Sequence, residues 1–190
     1  MPTLLVVLDY RLAPEHPFPA AVDDAVNTYL WLISPEGGNV PPSSVAIMGD
    51  SAGGGLTMAT LLSLRDRGLP LPACAVGMSP WVDLLISYPS WKTNAKTDYL
   101  FQPKGAKLDM PLMYAGSVVR LRALAGRRSQ VALTLTLPCR ASCAAHAAKA
   151  NLSNPLVSPI LADLTGLPPL LIQVTPGARH FGRAARRQRR

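Results

Sequence analysis

Apolar and polar positions follow two alternating periods along the chain. Residues 3–9, Thr-Leu-Leu-Val-Val-Leu-Asp, make an unbroken apolar run that ends at an acid. Such a run predicts a strand buried on both faces, as in a parallel sheet. A Pro-punctuated loop from Arg11 to Pro19 follows. Val22, Ala25, Val26, Tyr29, Leu30 and Ile33 then recur at helical spacing and form one face of an amphipathic helix. Pro35, Gly37, Gly38, Pro41 and Pro42 close it with a loop. Val45–Met48 is a short apolar strand, residues 52–67 a second helix ended by Gly68 and Pro70, and residues 73–78 a third strand stopped by Ser79-Pro80. Residues 170–174 form a fourth strand, introduced by Pro168-Pro169. Four strands alternating with helices of this length predict an α/β fold: a mainly parallel sheet flanked by helices, with right-handed crossovers.

Three stretches do not follow this pattern. Residues 81–117 hold the aromatic clusters Trp81, Tyr88/Trp91 and Tyr99/Phe101 with much Pro and Lys, which suits a cap over a site better than a sheet element. Residues 118–150 and 175–190 share an Arg/Ala/Gly/Pro bias. They carry twelve of the chain's nineteen basic residues and no acid. The net charge of +8 therefore comes from these two segments; without them seven basic residues face eleven acids, a net −4. The expectation is one domain over residues 1–174 interrupted by an irregular insert at 118–150, followed by a disordered basic tail at 175–190. The bias is that of GC-rich sequence read in a non-coding or shifted frame: an in-frame insert of 33 residues and a frame loss after Val174. Transcript reads crossing both junctions as written would overturn this.

Composition removes several classes of function. An apolar fraction of 48% supplies a core, and no run of 18 apolar residues suggests a membrane span. The N-terminal residues read as a strand, not as a signal peptide. Cys74, Cys139 and Cys143 make no disulfide framework. A reducing, cytoplasmic location is expected.

The chemistry is concentrated at Gly49-Asp50-Ser51-Ala52-Gly53. Gly-x-Ser-x-Gly between a strand and a helix places the serine on a sharp, strained turn, with its Oγ above the end of the sheet. The flanking glycines let strand and helix backbones approach, and the helix N-terminus contributes N–H groups. The Ala52 N–H is one oxyanion donor. A Gly-rich helix start with a capping serine would account for Ser51 but not for glycines on both sides of it.

Gly49-Asp50-Ser51-Ala52-Gly53-Gly54 follows Asp9-Tyr10-Arg11-Leu12-Ala13-Pro14-Glu15-His16-Pro17-Phe18-Pro19-Ala20. With Ser79-Pro80-Trp81-Val82-Asp83-Leu84 and Ala162-Asp163-Leu164-Thr165-Gly166-Leu167-Pro168-Pro169, the pattern resembles the hormone-sensitive-lipase-like (GDXG) branch of the α/β-hydrolases. The resemblance covers residues 3–117 and 151–174. It implies a partial α/β-hydrolase fold and a cofactor-free serine carboxylesterase or lipase whose partner is a small- to medium-chain ester. Ser51 would be the nucleophile and Ala52 an oxyanion donor, with Gly49, Asp50, Gly53 and Gly54 shaping the elbow.

A serine hydrolase also needs a base and an acid that orients it. That family places its acid just after the strand matching residues 170–174 and its histidine further on, but no acid occurs here after Asp163. No residue fills the acid's place. His180-Phe181 resembles the family's His-x-Phe pattern yet follows the strand by only six residues; His16 lies in the Pro-rich loop and His146 in the insert. The family's upstream His-Gly-Gly-Gly oxyanion element is not among these residues. Impaired turnover is expected. The alternatives are an inactive, hydrolase-like binding protein and an Arg-tail binder of nucleic acid or anionic surfaces, against which the acidic body argues. Cys139-x-x-x-Cys143-x-x-His146 offers three metal ligands with nothing to complete them, so no metal is expected.

Overall fold

The computed structural model describes residues 3–98 apart from 14, 17 and 86, the backbone of residues 131–135, and residues 152–174. The first helix, α1, spans Ala20–Ile33 and buries Val22, Ala25, Val26, Tyr29 and Leu32. Leu32 lies deeper than the apolar spacing implied, while Leu30 and Ile33 pack at the edge of the same core. The Ser34 N–H closes the helix on the Leu30 and Trp31 carbonyls, and the Ser34 hydroxyl adds a bond to the Trp31 carbonyl (3.1 Å).

The strands are β1 (Leu4–Leu8), β2 (Val45–Asp50), β3 (Cys74–Met78), β4 (Val131–Leu135) and β5 (Leu170–Gln173). They form one sheet in the order β1-β4-β2-β3-β5, and every pairing is parallel. Four strands were expected. The fifth, β4, comes from inside the segment read as an irregular insert and lies between β1 and β2. Its apolar, Thr-bearing run Val-Ala-Leu-Thr-Leu suits a strand; the Arg/Ala bias around it concealed that local signal.

β1 departs from expectation in a second way. It is not buried on both faces: Leu4, Val6 and Leu8 pack against the core, whereas Leu5 and Val7 are 37% and 40% exposed. Leu171 on β5 is 63% exposed. The core lies on the face shared with α1 and the second helix, α2 (Ser51–Asp66), where Val45, Ile47 and Ala75 meet Val26, Tyr29, Leu61 and Leu64.

Twelve consecutive α2 residues, Gly53–Leu64, are buried. A helix enclosed on all sides must satisfy its polar side chains internally. Thr57 and Thr60 do so by donating to the Gly53 and Leu56 carbonyls (2.9 and 2.8 Å). Gly68, at φ +65°, ends the helix; its N–H bonds the Arg65 carbonyl and that of Leu69 the Leu64 carbonyl. This is the paired 5→2 and 6→1 closure that favours glycine. Arg65 then ties the helix end to the loop before β5, donating from Nη1 to the Asp163 and Thr165 carbonyls (2.6 and 2.9 Å). A short helix, α3 (Ser90–Thr93), lies within the stretch read as a cap. Residues 99–117 and the tail 175–190 lie outside the described residues.

Candidate active site

β2 runs directly into α2 at Asp50–Ser51, as the motif spacing requires. Ser51 has φ +51°, a left-handed conformation that is costly for a residue with a side chain and persists only where its surroundings over-determine it. Those surroundings are visible. A Cβ on Gly49 would overlap the Gly53 carbonyl, so the close approach of strand and helix needs glycine. A Cβ on Gly54 would stand 2.5 Å from Pro80 Cβ, so the first turn of α2 rests directly on the loop after β3. The Trp81 N–H donates to the Ser51 carbonyl (2.7 Å), and the Ser79 N–H to the Gln173 carbonyl (2.8 Å).

That loop is braced in turn by Asp83, which is 6% exposed. Its carboxylate accepts from the Leu85 N–H (3.1 Å), the Ser87 N–H (2.8 Å) and the Ser87 hydroxyl (3.2 Å). The Trp81 indole N–H donates to the Asp83 carbonyl (3.1 Å). The Leu84 N–H reaches the Ser158 hydroxyl (3.3 Å). The spacing of residues along the chain gives no role to Trp81 or Asp83. The available signal was Ser-Pro-Trp-Val-Asp-Leu placed immediately after a strand.

Ser51 and Ala52 are half-buried, and Asp50 is exposed at the helix N-cap. Among the described residues nothing hydrogen-bonds the Ser51 hydroxyl. Beside the elbow lies a cavity of about 140 Å3 lined by Ala52, Leu56, Tyr10, Leu12, Phe18 and Trp81, among others. His16 also lines it and is exposed, its backbone N–H bonded to the Leu12 carbonyl (2.8 Å). Arg11, on the same wall, grips Asp24 of α1 with Nε and Nη2 (3.0 and 2.7 Å to Oδ1) and with its backbone N–H (2.9 Å). This hydrogen bonding holds the Asp24 carboxyl below the usual carboxylate range.

The structure thus brings Gly49, Asp50, Ser51, Ala52, Gly53 and Gly54 together at one turn and places His16 on the neighbouring cavity. His146, His180, Cys139 and Cys143 lie outside the described residues. Among the described residues, no group of three or more His, Cys, Asp or Glu is placed to hold a metal. No described helix is long and apolar enough to cross a membrane.

A parallel sheet whose strand turns through a strained serine into a buried helix defines the α/β hydrolases, and the chain belongs to that family: the alpha/beta hydrolase fold model matches residues 1–124. It is a hormone-sensitive-lipase-like member. It is 39% identical over 170 residues to an acetyl-hydrolase of Streptomyces hygroscopicus, covering 90% of this chain and 45% of that one. It is 31% identical over 170 residues to an arylesterase of Saccharolobus solfataricus, covering 88% and 45%. The crystal structure of the esterase EstE5 superposes with a TM-score of 0.67 at 39% identity, covering 91% of this chain and 46% of that one. An esterase of the bacterial hormone-sensitive lipase family superposes with a TM-score of 0.64 at 37% identity, covering 91% and 46%. The chain spans about half the length of the curated relatives it matches.

Proposed function

We propose that the chain carries the nucleophile half of a serine carboxylesterase site for small to medium esters. The Ser51 Oγ attacks the ester carbonyl and gives its proton to solvent, and the Ala52 N–H at the start of α2 receives the developing oxyanion. Collapse breaks the ester C–O bond, leaving an acyl-serine and an alcohol protonated by solvent. The observation that carries this reading is the positive φ of Ser51 at the strand-to-helix turn, together with the apolar cavity that begins at Ala52. At about 140 Å3 the cavity is close to the size that admits a benzene-sized guest, about 150 Å3, which suits a short acyl or small alcohol group. The names of the relatives, acetyl-hydrolase and arylesterase, agree with that scale.

The 190 residues offer Ser51 no acid after Asp163. Without the acid and an oriented histidine, binding and oxyanion stabilisation leave roughly 10³–10⁴-fold catalysis over water. Slow labelling of Ser51 by a fluorophosphonate probe is expected, abolished in Ser51→Ala. Labelling that persists in Ser51→Ala would overturn the assignment. A second reading, a hydrolase-like binding protein, is supported by the cavity lining, which includes Ala52 but not Ser51. A short ester that binds equally to the parent and Ser51→Ala chains, with no labelling of either, would favour it.

A further inference from the structure

The cavity beside the elbow follows one face of α2. Ala52, Gly55, Leu56 and Ala59 all line it, and positions three, four and seven apart stand on one side of a helix. From Ala52 to Ala59 a helix rises roughly 10 Å. Exposure falls along the same line: Ala52 is half-buried, Leu56 is 8% exposed and Ala59 2%. The opening therefore lies at the elbow, where Arg11 and His16 on the wall are exposed, and the closed end lies at Ala59.

The walls differ in how much they can give. A Cβ on Gly55 would overlap the Trp81 carbonyl, so the helix backbone already touches the loop after β3 and leaves no room for a side chain. Leu56 and, from α1, Val22 line the cavity with large side chains anchored in the common core. Ala59 belongs to that core as well, but it bounds the cavity with a single methyl group. It is the position on α2 at which side-chain size changes the length of the cavity.

Ester chemistry assigns this cavity to one half of the substrate. The alcohol must leave before water reaches the acyl-serine, whereas the acyl carbon stays on the Ser51 Oγ through both steps. A closed cavity suits the group that stays. The lining by Leu12, Phe18 and Leu84 is apolar and suits a hydrocarbon chain. The volume, about 140 Å3, is close to what a six-carbon guest such as benzene fills, about 150 Å3.

Resting on the assignment of Ser51 as nucleophile, we infer that the acyl chain of the ester lies along α2 from Ala52 to Ala59, and that Ala59 sets the longest chain accepted, about six carbons. Within that length each added methylene tightens binding about fourfold, the equivalent of burying one CH2. A longer chain meets the Ala59 methyl and gains nothing further.

The test reads the cavity apart from the reaction. Methyl esters of acetic, butyric, hexanoic and heptanoic acid are titrated by NMR into the full Ser51→Ala chain, which cannot be acylated, with and without a second change at Ala59. Ala59→Leu adds three carbons at the closed end and should lower the hexanoate-to-acetate affinity ratio about tenfold or more. Ala59→Gly removes one carbon and should raise the heptanoate-to-hexanoate ratio about fourfold. Ratios that are the same with and without the changes at Ala59 overturn the inference, since any loss shared equally by all the esters is a general effect on the fold. Should Ala59→Leu fail to fold, the Ala59→Gly ratio decides alone. Fluorophosphonate labelling of chains that retain Ser51 separates the two readings. Labelling with unshifted ratios would keep the nucleophile and sink the role of Ala59; shifted ratios without labelling would keep the chain-length limit and sink the nucleophile.

Discussion

The two sides of the elbow strand are built differently. On one side, β2, α2 and β3 follow one another in the chain and touch directly. β2 pairs with β3 over Ala46–Asp50, the Ala73 N–H bonds the Val45 carbonyl (2.8 Å), and the Trp81 N–H bonds the Ser51 carbonyl (2.7 Å). On the other side, β1 reaches β2 only through β4, a strand that begins 81 positions after β2 ends. The first arrangement makes the reactive turn a local property of one strand–helix–strand unit. The second makes the sheet around it depend on a remote segment.

Substitutions on each side can break or sharpen this contrast. The largest effect is expected for Gly49→Val, because the new side chain would overlap the Gly53 carbonyl. A loss of about 3 kcal/mol in urea unfolding is expected, the scale of forced overpacking combined with backbone displacement. A loss below about 0.5 kcal/mol would mean that strand and helix are not in contact at the turn.

Arg65→Met removes two charge-assisted bonds to the Asp163 and Thr165 carbonyls while keeping the apolar stem. It should cost about 1.5 kcal/mol, and amide exchange should quicken in β5. Unchanged exchange in β5 would show that the loop is held by other contacts.

Tyr29 tests the opposite side. It is fully buried in α1, and among the described residues its hydroxyl has no hydrogen-bond partner. Tyr29→Phe removes the unsatisfied group and should stabilise the chain by about 1 kcal/mol. Burial also pushes the Tyr29 phenol up to about 12. The folded state therefore holds its proton after an unfolded tyrosine, near 10, has lost it. That stabilisation is complete below pH 10 and fades as the pH rises towards 12. Tyr29→Phe should remove this alkaline component; an unaltered alkaline profile would place the hydroxyl in contact with water.

The smallest effect belongs to Asp24→Asn. The Arg11 hydrogen bonds lower the Asp24 carboxyl, so its contribution is present above the usual carboxylate range and fades as the pH falls through the lowered value. The Arg11 side chain is half exposed and Asp24 is partly exposed, and solvent screening keeps their contribution small. The acid limb of the parent's stability curve should flatten slightly in Asp24→Asn and stay unchanged at pH 7 and above in shape.

Much of this architecture is legible along the chain. The spacing of Val22, Ala25, Val26 and Tyr29 marks the buried face of α1, and Gly68 marks the end of α2. The elbow is legible because Gly49, Ser51 and Gly53 act over a few bonds of backbone. Trp81 and Asp83 stand in a motif that the sequence shows, Ser79–Leu84, but their roles are not legible there because they act across the fold, through an N–H on the Ser51 carbonyl and a carboxylate turned into its own loop. β4 escaped for a related reason: a five-residue run carries little signal of its own, and pairing partners 86 and 127 positions away give it its place.

By itself, the amino-acid sequence determined the strand–elbow–helix unit and the residue types available for its chemistry, because periodicity and short-range sterics govern both. Tertiary structure alone decided that α1 and α2 share one face of the sheet, that Leu5, Val7 and Leu171 are left on the exposed side, and that a remote strand stands between β1 and β2. Those outcomes follow from long-range pairing and burial, where many strands of similar composition compete for one position and only the assembled core distinguishes them.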